Sequence, residues 1–128
     1  MTTPSRAPSR WASFRHAIAG WWYVIRTQRN AWVHASATLA VLALAAWLTL
    51  KPLEWALLIV AIAIVWMAEF LNTALEAVVD LASPEAHPLA RVGKDVGAAA
   101  VLIAALAAAA VGLLVLGPQL WTRVAAGR

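Results

Sequence analysis

The sequence predicts an all-α membrane protein: three transmembrane helices preceded by an N-terminal amphipathic helix lying in the membrane interface. Three observations carry this reading. First, 63% of the residues are hydrophobic and only 12% are charged, against roughly 45–50% and about 25% in soluble domains. A soluble globule of 128 residues would have to expose large apolar patches to hold so much hydrocarbon. Second, three long, predominantly apolar segments follow one another, separated by short turn-forming sequences. Third, an aromatic stripe with arginines at its flanks precedes them.

The elements follow in order. Residues 1–8 are polar, contain Pro4 and Pro8, and read as a disordered tail. Across residues 9–29, Trp11, Phe14, Ile18, Trp21, Trp22 and Ile25 recur within an arc of about 100°. Arg10, Arg15 and Arg26 flank them, as expected of a helix in the interface plane. Residues 31–50 carry no formal charge, and about 20 such residues suffice to cross ~30 Å of hydrocarbon. Lys51-Pro52 closes this span with a tight turn, and residues 53–81 form the second, apolar as far as Ala68 and then increasingly polar. A polar loop around Ser83, Pro84, Glu85, His87 and Pro88 leads into the third helix, residues 88–117. Gly117-Pro118 is expected to end it, leaving residues 121–128 as a tail. Ala100, Ala104, Ala108 and Gly112, at four-residue spacing, permit close helix–helix approach in lipid. Residues 9–120 thus read as one membrane domain.

Charge and cysteine content exclude several classes. The chain has no cysteine, which rules out disulfides and thiolate metal sites. The net charge of +4 is spread without a dense basic patch, so nucleic acid is not an expected partner. The N-terminus does not read as a cleaved signal. With the N-terminus in the cytoplasm, that side holds Arg6, Arg10, Arg15, Arg26, Arg29, Arg91 and Lys94, and the other holds Lys51, Arg123 and Arg128. This asymmetry predicts a cytoplasmic N-terminus and a cytoplasmic 82–93 loop.

The second span holds the residues with chemistry. Glu69, Asn72, Glu76 and Asp80, spaced 3, 4 and 4 apart, fall within about 80° on one helix face. Counting from Leu53 at the outer side, Glu69 lies ~24 Å and Glu76 ~35 Å along the helix. Glu69 therefore sits in the inner leaflet and Glu76 and Asp80 near the cytoplasmic interface. An ionisable residue at membrane depth is costly, which points to function. Asn72 could instead serve as interhelical glue, Asp80 as a solvated helix end, and Lys94-Asp95 as a plain interfacial pair. Phosphoryl transfer needs carboxylates for Mg²⁺, cations for phosphate oxygens and a base near the attacking hydroxyl. Neither a GxxxxGK[ST] loop nor a kinase-type glycine-rich loop is present. Spacing alone yields an intramembrane acidic site facing the cytoplasm, which suits a small proton- or cation-coupled transporter using Glu69 equally well. A noncatalytic membrane assembly protein is a third reading.

Four segments resemble one family. Residues 69–80, EFLNTALEAVVD, resemble the ExxNTAxExxVD signature of the bacterial membrane diacylglycerol kinase and undecaprenol kinase family. Residues 90–101, ARVGKDVGAAAV, resemble its A(K/R)xxKDxxAAAV motif. Arg26-Thr27-Gln28-Arg29-Asn30 with His34 resembles RTERNxxxH, and residues 87–90 match the HPLA of undecaprenol-kinase-like members. The likeness covers residues 14–118. It implies an ATP-dependent lipid kinase acting on the primary hydroxyl of diacylglycerol or undecaprenol at the cytoplasmic face of the bacterial inner membrane. It also implies a homotrimer with active sites between subunits. By resemblance Glu69 is the catalytic base and Glu76 a ligand of the Mg²⁺ that accompanies ATP. Asn72, Lys94 and Asp95 surround the phosphates, Glu85 and His87 meet the nucleotide from the loop, and His16 takes the place of an aromatic near it. One departure stands out: the family's second metal-binding carboxylate falls at Gln28, whose neutral amide is the poorer Mg²⁺ ligand.

Overall fold

The computed structural model describes residues 10–127. Four helices follow one another: α1 (Arg10–Thr27), α2 (Arg29–Leu48), α3 (Pro52–Ala82) and α4 (Pro88–Ala126). No strand occurs among the described residues. The last three helices are each long and apolar enough to cross a membrane. The expected tail at residues 1–8, with Arg6, and the terminal Arg128 lie outside the described residues.

α1 and α2 meet at a corner one residue long. Gln28 leaves the helical region, with φ −100° and ψ 117°, while its backbone N–H still donates to Val24 O at 2.9 Å. The aromatic stripe of α1 is exposed, as an interfacial helix requires, with Trp11 at 75% and Trp22 at 58% of full exposure. Trp21 is also used internally: its ring lies 4.9 Å from that of Trp66 and 4.7 Å from that of Phe70. Behind it Val24, Ala31 and Trp66 form a small buried cluster that locks the corner onto α3.

At the opposite end, α2 turns into α3 through Thr49, Leu50 and Lys51. Thr49 adopts the left-handed conformation, φ 58° and ψ 56°, which a β-branched side chain rarely accepts. Pro52 opens α3, where a missing N–H costs nothing. The Lys51 N–H donates to Glu54 Oε2 at 2.7 Å, capping the new helix. A second buried cluster, containing Ala45, Leu48, Leu50, Leu58, Val115 and Leu116, seals this end.

α3 and α4 are the most closely packed pair. Gly97, Val101 and Ala104 are buried, and the α4 backbone comes near enough at Gly97 that an added Cβ would overlap Asn72 Oδ1. The small-residue stripe is used only in part: Ala104 is buried, Ala108 and Gly112 are half-buried, and Ala100 is exposed.

α4 does not end at Gly117-Pro118, as its sequence leads one to expect, and residues 121–126 are helix rather than tail. Pro118 removes one i→i−4 bond and crowds the preceding turn, but side chains beyond it anchor the continuation. Gln119 Nε2 donates to Glu54 Oε1 at 2.8 Å, and the Arg123 guanidinium lies 4.8 Å from the Trp47 ring centre. At 39 residues the helix is ~58 Å long, well beyond the hydrocarbon thickness.

The left-handed Thr49 yields a stability prediction. Thr49→Gly should raise stability by about 1 kcal/mol by removing the Cβ clash, seen as a higher thermal midpoint of the detergent-solubilised protein. An unchanged or lower midpoint would show that Thr49 is not strained there.

Candidate functional site

The site is assembled along the inner half of α3. Glu69, Asn72 and Thr73 are buried, at 1%, 8% and 4% exposure, and Glu76 is half-buried one turn further on. Thr73 Oγ1 donates to the Glu69 carbonyl at 2.9 Å, so its hydroxyl is satisfied within the helix. The acidic ladder expected from spacing is therefore a real face, turned inward at Glu69 and opening outward at Asp80, which is exposed.

Glu76 is the hub. Asn72 Nδ2 donates to its Oε1 at 3.1 Å, and Gln28 Nε2 reaches its Oε2 at 3.4 Å. Gln28 occupies the N-cap position of α2 yet makes no side-chain cap; its amide is turned across to α3 instead. The single-residue corner thus delivers a side chain 48 positions away in sequence to the middle of the acidic face. Asn72 Oδ1 is buried with no hydrogen-bond partner, an expensive condition that marks a position able to receive a donor or cation.

Glu69 is closed off from the surface, with Oε2 lacking a hydrogen-bond partner and His34 Nε2 3.7 Å away. An apolar groove of about 630 Å³ runs between α2 and α4 over α3, with Val33 and His34 at one end and Leu116 and Leu120 at the other. His34 and Thr38 are its only polar lining side chains, and the Thr38 hydroxyl already accepts from Trp66 Nε1 at 3.2 Å. The groove therefore presents one free polar end, at His34, directly against Glu69.

The outer part of the site is a separate, wetter cleft of about 510 Å³, lined by Asp80, Glu85, His87, Arg91, Lys94 and Asp95 among others. Lys94 pairs with Asp80, joining α4 to α3. Arg91 and Asp95 form an exposed i,i+4 pair at 3.8 Å, a contact worth little to stability and thus available to a ligand. His87 caps α4, its Nδ1 accepting from the Leu89 N–H at 3.2 Å, and Ser83 Oγ donates to Glu85 O at 2.9 Å.

Of the residues singled out from sequence, Glu69, Asn72, Glu76 and Gln28 come together, and Lys94, Asp95, Glu85 and His87 share the neighbouring cleft. His16 does not join either group; it stays exposed on α1, and its side chain has no hydrogen bond or ion pair among the described residues. One contributor was not singled out: Gly97, legible only once α4 is placed against Asn72.

The model of the prokaryotic diacylglycerol kinase family matches residues 15–116. The chain is 41% identical over 108 residues to an undecaprenol kinase of Bacillus subtilis, covering 84% of this chain and 88% of that one. It is 44% identical over 115 residues to a diacylglycerol kinase of Synechocystis, covering 89% of this chain and 66% of that longer protein. To a diacylglycerol kinase of Escherichia coli K12 it is 36% identical over 102 residues, 74% of this chain and 84% of the relative.

The close approach at Gly97 separates two otherwise similar substitutions. Gly97→Ala places a Cβ on Asn72 Oδ1 and 3.2 Å from Leu75 Cδ2, whereas Gly93→Ala meets Val79 at an ordinary 3.7 Å. Gly93→Ala should stabilise by roughly 0.5–1 kcal/mol through helix propensity. Gly97→Ala should destabilise by about 1–3 kcal/mol through overpacking. Opposite shifts in thermal midpoint are the expected result; two shifts of the same sign would contradict the packing at Asn72.

Proposed function

This chain belongs to the prokaryotic diacylglycerol kinase family, and we propose that its acidic α3 face transfers the γ-phosphoryl group of ATP to the primary hydroxyl of a lipid alcohol. It is a lipid kinase and a membrane protein. The single observation that carries the residue-level reading is Glu69, a buried carboxylate facing His34, the residue at the polar end of an apolar groove.

The residues divide the work. The acceptor's hydrocarbon lies in the groove between α2 and α4, which brings its hydroxyl to the His34 end beside Glu69. Glu69 takes the hydroxyl proton as the oxygen attacks the γ-phosphorus; the bond from that phosphorus to the β,γ-bridging oxygen breaks, ADP leaves, and Glu69 later releases the proton to water. ATP occupies the outer cleft. There Arg91 and Lys94 offer cations to its phosphates, Asn72 and Asp95 orient them, and Glu85 and His87 flank the nucleotide. Mg²⁺ arrives with ATP as part of the substrate. The Glu76 carboxylate, and the Gln28 oxygen if its amide turned over, would be the side chains to hold that ion, which would neutralise phosphate charge during transfer. No group of three or more acidic or histidine side chains forms a metal cage among the described residues. That sparse donor set suits Mg²⁺, which commonly binds through one or two carboxylates plus substrate phosphates. The asymmetry of basic residues supports a cytoplasmic N-terminus and 82–93 loop, where ATP is, and the family likeness supports a homotrimer as the working form.

The test is turnover of labelled ATP by the purified protein against a panel containing diacylglycerol and undecaprenol in mixed micelles. One or both should become labelled, and the better substrate names the acceptor. Glu69→Gln should lower kcat by at least a hundredfold, leaving the protein folded and nucleotide-competent; turnover within about threefold of wild type would remove Glu69 as the base.

Gln28 gives a second, independent test. Gln28→Glu restores a charge beside the metal and should lower the half-saturating Mg²⁺ concentration several-fold, whereas Gln28→Ala should raise it. A Mg²⁺ midpoint unmoved in both folded variants would take position 28 out of the metal's reach.

A further inference from the structure

We infer that His34 is a positioning residue for Glu69: the imidazole holds the buried carboxylate in the orientation from which it accepts the acceptor's proton. The inference rests on the reading of Glu69 as the base.

Three observations converge on His34. Its Nε2 and Glu69 Oε2 face each other at 3.7 Å. Both atoms are buried and neither has a hydrogen-bond partner. The groove that ends here is otherwise apolar, apart from Thr38, whose hydroxyl is engaged by Trp66. Among the described residues, the His34 ring nitrogen and the Glu69 oxygen are left facing each other, each without another hydrogen-bond partner. A hydrogen bond requires about 3.0 Å, so a movement of about 0.7 Å by two flexible side chains completes it.

The geometry also explains why this partner resides on α2. Asn72 Nδ2, which could have reached back along α3, is committed to Glu76, and the Thr73 hydroxyl is committed to a backbone carbonyl. α1 contributes the Trp21 ring to Trp66 and Phe70, the residues flanking Glu69 on its helix. α4 contributes Gly97, Val101 and Ala104 to the buried face, none of which has a side-chain donor. α2 supplies one in His34, the side chain that faces Glu69. The His34 ring is itself steadied by an edge contact to Trp66 at 6.4 Å. A carboxylate left without a partner in a low-dielectric pocket samples several rotamers, and a base must be held within a fraction of an ångström and a few degrees of its productive geometry. The imidazole N–H supplies that restraint, as second-row partners orient catalytic groups elsewhere.

The experiment compares His34→Leu, His34→Gln and Glu69→Gln with the double variant Glu69→Gln/His34→Leu, in steady-state turnover of labelled ATP with the lipid alcohol that the wild-type protein accepts. Leucine fills the space without a donor; the glutamine amide nitrogen can stand where Nε2 stands. His34→Leu should lower kcat at least tenfold with KM for ATP within twofold of wild type, and His34→Gln should recover most of that loss. In the Glu69→Gln background, His34→Leu should cause no further loss of residual turnover, because residues that act as a unit are non-additive. His34→Leu with kcat within twofold of wild type would overturn the inference. So would His34→Gln as impaired as His34→Leu while its thermal midpoint stays that of wild type, or the same His34→Leu factor in both backgrounds. Glu69→Gln alone tests the parent reading: if that variant is active the base assignment fails, and if it is inactive while His34→Leu is active, only the role of His34 fails.

Discussion

Carrying acidic groups below the surface of a bilayer is the constraint around which this molecule is built. An unanswered carboxylate in hydrocarbon costs several kcal/mol, so each acidic residue on the inner half of α3 must be met by another element. Gln28 from the α1–α2 corner and Asn72 from the same helix meet Glu76. Lys94 from α4 meets Asp80. Glu69, the deepest, faces His34 from α2. The three helices around α3 are thus placed by the need to attend to its polar face as much as by apolar packing, which in lipid supplies little preference for one neighbour over another.

The opposite end of the bundle works by different means. There the chain must reverse direction in a few residues and hold three helix ends together, and it does so with buried leucines and valines, a capped α3 and the Glu54–Gln119 bond. Between the two ends α2 and α4 stand apart, leaving the groove. The groove runs from His34, beside the acidic face, to Leu116, which belongs to the sealing cluster.

Much of this was legible in the residues. The three spans, the surface helix and the acidic face follow from run length, aromatic spacing and a 3-4-4 pattern, each a property of helix geometry alone. The chemistry was not legible from spacing: Glu69, Asn72, Glu76 and Asp80 would serve a proton-coupled carrier as readily, and the family match is what makes the chain a lipid kinase. Two features escaped because they depend on partners distant in sequence. Pro118 reads as a stop until Gln119 and Arg123 are seen to be held by Glu54 and Trp47. Gly97 reads as one more small residue until it stands over Asn72. His16, carried over from the family pattern, lies on the exposed face of α1 and joins neither cluster.

The corner at Gln28 has a mechanical consequence. α1 is an 18-residue arm joined to α2 through a single non-helical residue, and the side chain of that residue meets Glu76. Displacement on a lever grows with distance from its fulcrum: a tilt of about 10° would lift the far end of the ~27 Å arm by about 5 Å and leave the fulcrum almost where it was. Trp21, wedged between Trp66 and Phe70, restrains the arm part-way along. A tilt of the outer portion of α1 would therefore leave the amide beside Glu76 almost in place, so that this contact is mechanically insulated from the arm that carries the aromatic stripe.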